Sequence, residues 1–202
     1  DEPVIIDYDG LLIAVSGAAE IDIFGVVKLS GVFDFELSDS GLVAFASGQL
    51  SISAGDTDLL SVDALALLSI TNAGLAMRLD INVDISLASV LEFDSESQLL
   101  VNTTGQAIDY TVPERLQDTA GFTNVTIPAG PPQFDGSEGD PGSYITLRME
   151  GNLTIASLIE LQGKFFLEIS ETELELQIQA TADFFIGQMA AIFGTVWLLK
   201  EA

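Results

Sequence analysis

The residues of this chain that could do chemistry are carboxylates. Asp7-Tyr8-Asp9-Gly10 and Asp135-Gly136-Ser137-Glu138-Gly139-Asp140 set acids at short spacing on glycine-bearing stretches. Clustered oxygen ligands suit Ca²⁺, so Asp7, Asp9, Asp135, Glu138 and Asp140 are the candidate calcium ligands. Neither stretch completes a known calcium loop, and in so acidic a chain both also read as solvated turns. Glu173 and Glu175 lie two apart and have the makings of a glycosidase-type acid pair. Against that, 1 Trp and 3 Tyr leave little with which to build a sugar platform, and similar acids recur like a solvent coat. Asn102, Asn124 and Asn152 each open an Asn-x-Ser/Thr sequon. These are glycan acceptors in a eukaryotic secreted protein and otherwise Asn-Thr pairs on polar strand faces.

The chain has no His and no Cys. Imidazole bases, Cys nucleophiles, Ser-His-Asp triads, disulfides and structural zinc are excluded, and the expectation is a protein that is not an enzyme. Asp and Glu number 31 against 6 Lys and Arg, a net charge of −25. Such a surface repels phosphate backbones, which excludes nucleic acid as a partner. It suits high salt, divalent cations or the solubility of an otherwise apolar chain, for 48% of the residues are hydrophobic. The opening DEPVIIDYDG has neither the basic nor the apolar region of a signal peptide, which is expected of a mature chain or a segment of a longer one. The run FFIGQMAAIFGTVWLL at 184–199 is short for a spanning helix and reads better as two buried strands around Gly187-Gln188.

The elements that must position these residues are strands. Apolar and polar residues alternate with period two along nearly every segment, which gives a sheet one apolar and one polar face. Leu174, Leu176, Ile178, Ala180 and Ala182 fall on one face; Glu173, Glu175, Gln177, Gln179 and Thr181 fall on the other. Asp at Leu176 or Ile178 is therefore expected to abolish folding or assembly, and Glu175→Gln to change little. Turns are expected at Ser38-Asp39-Ser40-Gly41, Thr71-Asn72-Ala73-Gly74, Asp94-Ser95-Glu96-Ser97 and Ser170-Glu171-Thr172-Glu173. Gly41 and Gly74 stand where a type I turn with a bulge wants a left-handed residue. Small residues on the apolar faces (Ala44, Ala46, Gly48; Ala64, Ala66; Ala180, Ala182) permit close sheet packing or leave room for an acyl chain.

The hairpin at residues 31–52 recurs at 163–184 without a gap: Gly31 matches Gly163, Phe33 matches Phe165, Glu36 matches Glu168 and Leu42 matches Leu174. A weaker echo sets Leu75, Met77 and Leu79 in phase with Leu42, Ala44 and Ala46. Residues 111–143 hold five of the 6 prolines and break the pattern. They read as a long connection with a short helical turn at 114–118. The expected organisation is a β-hairpin module at 1–110, the connection at 111–143 and the start of a second module at 144–202. The expected fold is all-β: a repetitive antiparallel meander of long amphipathic strands, closed as a barrel, sandwich or solenoid.

YITLRMEGNLTI, IELQGKFFLEIS, LLVNTTGQAIDYTVP, the VNTTG run at 101–105 and the IPAG run at 127–130 resemble the β-rich repeat regions of giant secreted surface proteins of Gram-negative aquatic bacteria. The resemblance implies an extracellular, cell-surface structural, adhesive or appendage-forming segment whose partners are copies of itself or adjacent repeats, joined into a polymer by sheet faces and strand edges. A looser similarity, in the alternation alone, is to bacterial lipid-transport bridges, and implies an amphipathic β-groove that binds lipid. A transmembrane β-barrel alternates in the same way, but its interfacial Tyr and Trp girdles are nearly absent.

Overall fold

The computed structural model describes residues 10, 12–55, 57–87, 90–156, 158–170, 173–184 and 187–199. The chain is all-β with one short helix. Ten strands form one antiparallel sheet in nearly sequential order: β1 (Leu12–Ile23), β2 (Val27–Ser38), β3 (Gly41–Ala54), β4 (Thr57–Thr71), β5 (Gly74–Leu87), β6 (Leu91–Asn102), then β9 (Tyr144–Ile155), β10 (Ile159–Ser170), β11 (Glu173–Phe184) and β12 (Gly187–Leu199). Short turns between successive strands make this meander the direct solution. Among the described residues β1 and β12 are both edges, so the sheet is open rather than closed on itself. The run at 184–199 is the end of β11 and then β12, with the break before Gly187. No helix among the described residues is long and apolar enough to cross a membrane.

Residues 103–143 leave the sheet after β6 and return to it at β9, whose twelve residues pair directly with those of β6. This excursion carries β7 (Ile108–Thr111), α1 (Glu114–Ala120) and β8 (Asn124–Ile127), with β7 and β8 paired. Pro113 precedes the helix, and Gly121 ends it at φ 78°, donating its N–H to the Gln117 carbonyl at 2.8 Å. The left-handed glycine is the common C-terminal stop of a helix, whereas Pro113, at the N-cap, makes no side-chain capping hydrogen bond.

The excursion lies on the polar side of the sheet and makes the core there. Val112, Leu116, Val125 and Ile127 bury themselves against Val32, Phe45, Leu67 and Ala76. Each large side chain removed from water contributes roughly 1.5–3 kcal/mol. Phe45 anchors the contact, with the Tyr110 ring at 5.0 Å and the Phe122 ring edge-on at 6.0 Å. The strands can accept this cover because their alternation lapses at that end. LVAFA at 42–46 and ALALL at 64–68 are apolar on both faces, so the otherwise polar side offers Phe45 and Leu67 as an apolar surface for the excursion to cover.

The turns at 39–40 and 72–73 lie where the sequence puts them, as two-residue loops closing Ser38 on Gly41 and Thr71 on Gly74. Gly41 is required by its φ of +139° and by its neighbour, since a Cβ there would lie 2.1 Å from the Ile70 carbonyl oxygen. The turn expected at Asp94-Ser95-Glu96-Ser97 is absent. Those residues run through the middle of β6, and the chain reverses earlier, where the Val90 N–H meets the Leu87 carbonyl at 3.1 Å. The serines mimic a turn because they replace apolar residues on the apolar face, opposite Val83 and Ile81, while Leu91, Phe93, Leu99 and Val101 keep the phase. In the fourth turn, Glu171 and Thr172 lie outside the described residues.

The repeat is one of register as well as sequence. β9 and β10 begin and end 132 positions after β1 and β2, and β11 begins 132 after β3. Val27 pairs with Ile52 as Ile159 pairs with Phe184. The rare positive φ of Phe24 (54°) recurs at Ala156 (47°) in the corresponding turn. The strands on either side of the excursion thus correspond in bounds and pairing at one fixed offset. The ladder from Ala19 runs through Gly31, Gly48, Ala64, Ile81 and Ser97 to Met149, whereas the repeat equivalent of Ala19 is Gly151. β9 is thus staggered from β1 by two residues, about 7 Å, over six strands, a tilt of about 13° against the 35–45° of closed barrels.

Candidate interaction surface

On the side away from the excursion, the sheet shows a continuous apolar face. The rung Val15, Phe35, Ala44, Leu68, Met77, Val101, Ile145 and Ile169 crosses eight strands, and the neighbouring rungs are built alike. Ten strands about 4.8 Å apart and twelve residues long give a face on the order of 1,800 Å². Nothing among the described residues packs on it, and Phe33, Met149 and Ile178 are each more than 40% exposed. Ordinary monomers rarely expose apolar patches beyond about 600 Å².

This face is not flat. Ala19, Gly31, Gly48 and Ala64 make a run of small residues across β1 to β4, and Ser95, Gly151, Gly163 and Ala180 make the equivalent run across β6 to β11. Over the second run lies a cavity of about 610 Å³ walled by Phe93, Met149, Leu153, Leu161, Phe165 and Ile178. A smaller one of about 310 Å³ lies over Ala44, Ala46 and Ala66.

The opposite face carries the charge. Arg78 grips Asp80 (2.7 Å) and donates to the Thr126 carbonyl at 2.9 Å, tying β8 to β5. Gln98 donates to the second Asp80 oxygen at 2.9 Å, and Lys164 meets Glu150 at 2.5 Å. Tyr110 donates to Asp34 at 2.7 Å. Burial, then the Asp34 hydrogen bond and charge, push the phenol well above its ordinary value.

At the root of the excursion two residues clamp one carbonyl. Asn102 Nδ2 donates to Pro128 O at 2.8 Å and Gln106 O at 2.9 Å, while its Oδ1 accepts from the Thr104 N–H at 2.9 Å and hydroxyl at 2.7 Å. Tyr144, its partner across β6–β9, donates its hydroxyl to the same Pro128 oxygen at 2.8 Å. The VNTTG and IPAG runs meet here. Burial pushes the Tyr144 phenol up to about 12.

Asp7 and Asp9 lie outside the described residues. Asp135 accepts the Ser137 N–H and hydroxyl at 2.9 and 2.6 Å, which hold its carboxyl below the usual range, and Glu138 accepts the Gly130 N–H at 3.2 Å. Among the described residues no three acidic, His or Cys side chains gather as a metal group, so Asp135, Glu138 and Asp140 are not brought together. Glu175 does not stand in solvent. It is buried, opposite the buried Glu168, and accepts from Gln177. The reading of Glu175 as a neutral outer-face position is corrected accordingly, since this part of the polar face is not open to solvent; on the neighbouring strand Phe134 of the excursion packs edge-on to Phe166 at 6.1 Å. Of the sequons, Asn102 is fully buried and Asn124 is exposed, while Asn152 faces the polar side with its Oδ1 buried.

The clamp and the Tyr110–Asp34 pair were missed by sequence reasoning, because each joins residues far apart in the chain. No family model, curated protein or solved structure matches this chain.

Proposed function

We propose that this chain is a non-enzymatic structural segment of an extracellular repeat assembly, in which one sheet grows unit by unit and apolar faces pack on one another. The observation that carries the reading is the seam between units. β6 and β9 pair as regularly as any two strands within a unit, so the sheet passes from one repeat to the next without a break. Two such sheets packed about 10 Å apart would cover their apolar faces as a sandwich. The small stagger disfavours a barrel, and the acidic face keeps the assembly soluble.

The test is light scattering and negative-stain microscopy of the purified chain. Fibres, ribbons or paired sheets are expected. Ile178→Asp, on the uncovered face, should abolish assembly while leaving a folded monomer. Leu67→Asp, in the core under the excursion, should abolish folding itself. A monodisperse monomer at high micromolar concentration would defeat the reading.

A second reading is favoured by the cavity of about 610 Å³ over Gly151 and Gly163, whose apolar lining suits an acyl chain. An organic extract of the native protein containing stoichiometric lipid would select it. Asp135, Glu138 and Asp140 enter only as calcium candidates, tested by whether a chelator dissolves the assembly.

A further inference from the structure

We infer that the edge of β1, open among the described residues, is a docking site for one particular kind of strand, the equivalent of β6, supplied by a neighbouring repeat. The inference rests on the structural reading above and adds the identity and register of the partner. β1 is the repeat equivalent of β9 throughout their twelve residues, and β9 is bordered by β6. Transferring that ladder by 132 positions sets Leu91 against Ile23, Phe93 against Ile21, Ser95 against Ala19, Ser97 against Gly17, Leu99 against Val15 and Val101 against Ile13.

The match is chemically selective. Large residues meet large ones, and the two serines meet Ala19 and Gly17, so the small-residue run continues across the new seam. A slip of one residue would turn every apolar side chain of the guest to the charged face. Leu12, Ile13, Val15, Ile21 and Ile23 are each about half exposed, which is the flank such a strand would cover. The polar face opposes the docking at two places, where Glu92 would face Asp22 and Asp94 would face Glu20. Like charges directly opposite are destabilising, so docking strengthens with salt. The Asn102–Tyr144 clamp is not reproduced, since Leu12 stands at the Tyr144 equivalent. The seam therefore depends on main-chain pairing and the apolar rungs, the mode of β-strand addition.

The test is register-specific crosslinking of the full chain with a synthetic peptide, LEFDSESQLLVN (residues 91–102). The chain has no cysteine, so introduced thiols report alone. Glu20→Cys in the chain is oxidised against peptides bearing Cys in place of Phe93, Asp94 or Ser95. Asp94→Cys should crosslink at least tenfold faster than the other two, and faster still at higher salt. Equal rates for all three peptides, no crosslink at all, or crosslinking of Glu20→Cys only to a Thr195→Cys copy of the chain would overturn the proposal, the last by placing β12 on this edge. If the chain assembles but the peptide fails, the docking proposal falls and the structural reading stands. If the peptide crosslinks in register to a chain that stays monomeric, the reverse holds.

Discussion

Asn102 and Tyr144 hold the excursion to the sheet at a single carbonyl, so their loss should be felt well beyond their own contacts. Asn102→Ala removes four hydrogen bonds at a buried side chain, and although Pro128 O keeps the Tyr144 hydroxyl and Gln106 O keeps the Thr104 hydroxyl, the Thr104 N–H loses its acceptor, an expected cost of about 2–3 kcal/mol. Tyr144→Phe removes one bond and should cost about 1 kcal/mol. Urea unfolding reads both. The raised Tyr144 phenol adds a pH signature. An unfolded tyrosine ionises near 10, while the folded one keeps its proton until about 12. Between those values the folded state binds more protons, so stability is whole below pH 10 and falls as pH climbs from 10 to 12. Tyr110 shifts in the same direction, so Tyr144→Phe should flatten part of that fall rather than all of it.

The strands depend on how closely they approach one another at their ends. Gly41→Ala drives a methyl group into the Ile70 carbonyl and strains a φ of +139°, with an expected cost of about 3 kcal/mol or more. Gly25, in a turn at the other end of the strands with φ +69° and open space around it, should tolerate alanine for about 1 kcal/mol. If both substitutions moved the unfolding midpoint equally, the close β3–β4 approach would not be what constrains Gly41. Phe45→Ala empties the contact between sheet and excursion and should cost about 3–5 kcal/mol.

For the whole molecule, a net charge of −25, to which the carboxylates of the polar face contribute, acts against the cover that the other face demands. Raising ionic strength from 0.1 M to 1 M shortens the screening length from about 10 Å to about 3 Å. Assembly measured by light scattering should therefore begin at lower protein concentration as salt is added. If salt dispersed the assembly, charge rather than the apolar face would be holding it.

The sequence by itself determined the strands, the phase of their faces and the short helix, because period-two alternation and turn chemistry are local properties of the chain. Its prolines and glycines marked the excursion from Thr111 to Ser143, but not the departure from the sheet at Thr103 or the strand β7, whose residues alternate like those of the sheet. The interior of β6 misled, since Ser95 and Ser97 are polar residues that the apolar face tolerates in its small-residue run. Glu175 misled in the same way, for a strand's polar face is read as solvent until something folds onto it. Only the tertiary structure decided that the excursion returns to cover the end of the polar face rather than the apolar one. LVAFA and ALALL carried that signal as lapses in alternation, but which partner fills a two-sided apolar patch depends on long-range packing. The same holds for the open sheet and its two-residue stagger. These are set by hydrogen-bond register between strands, which alternation constrains only to the nearest even number.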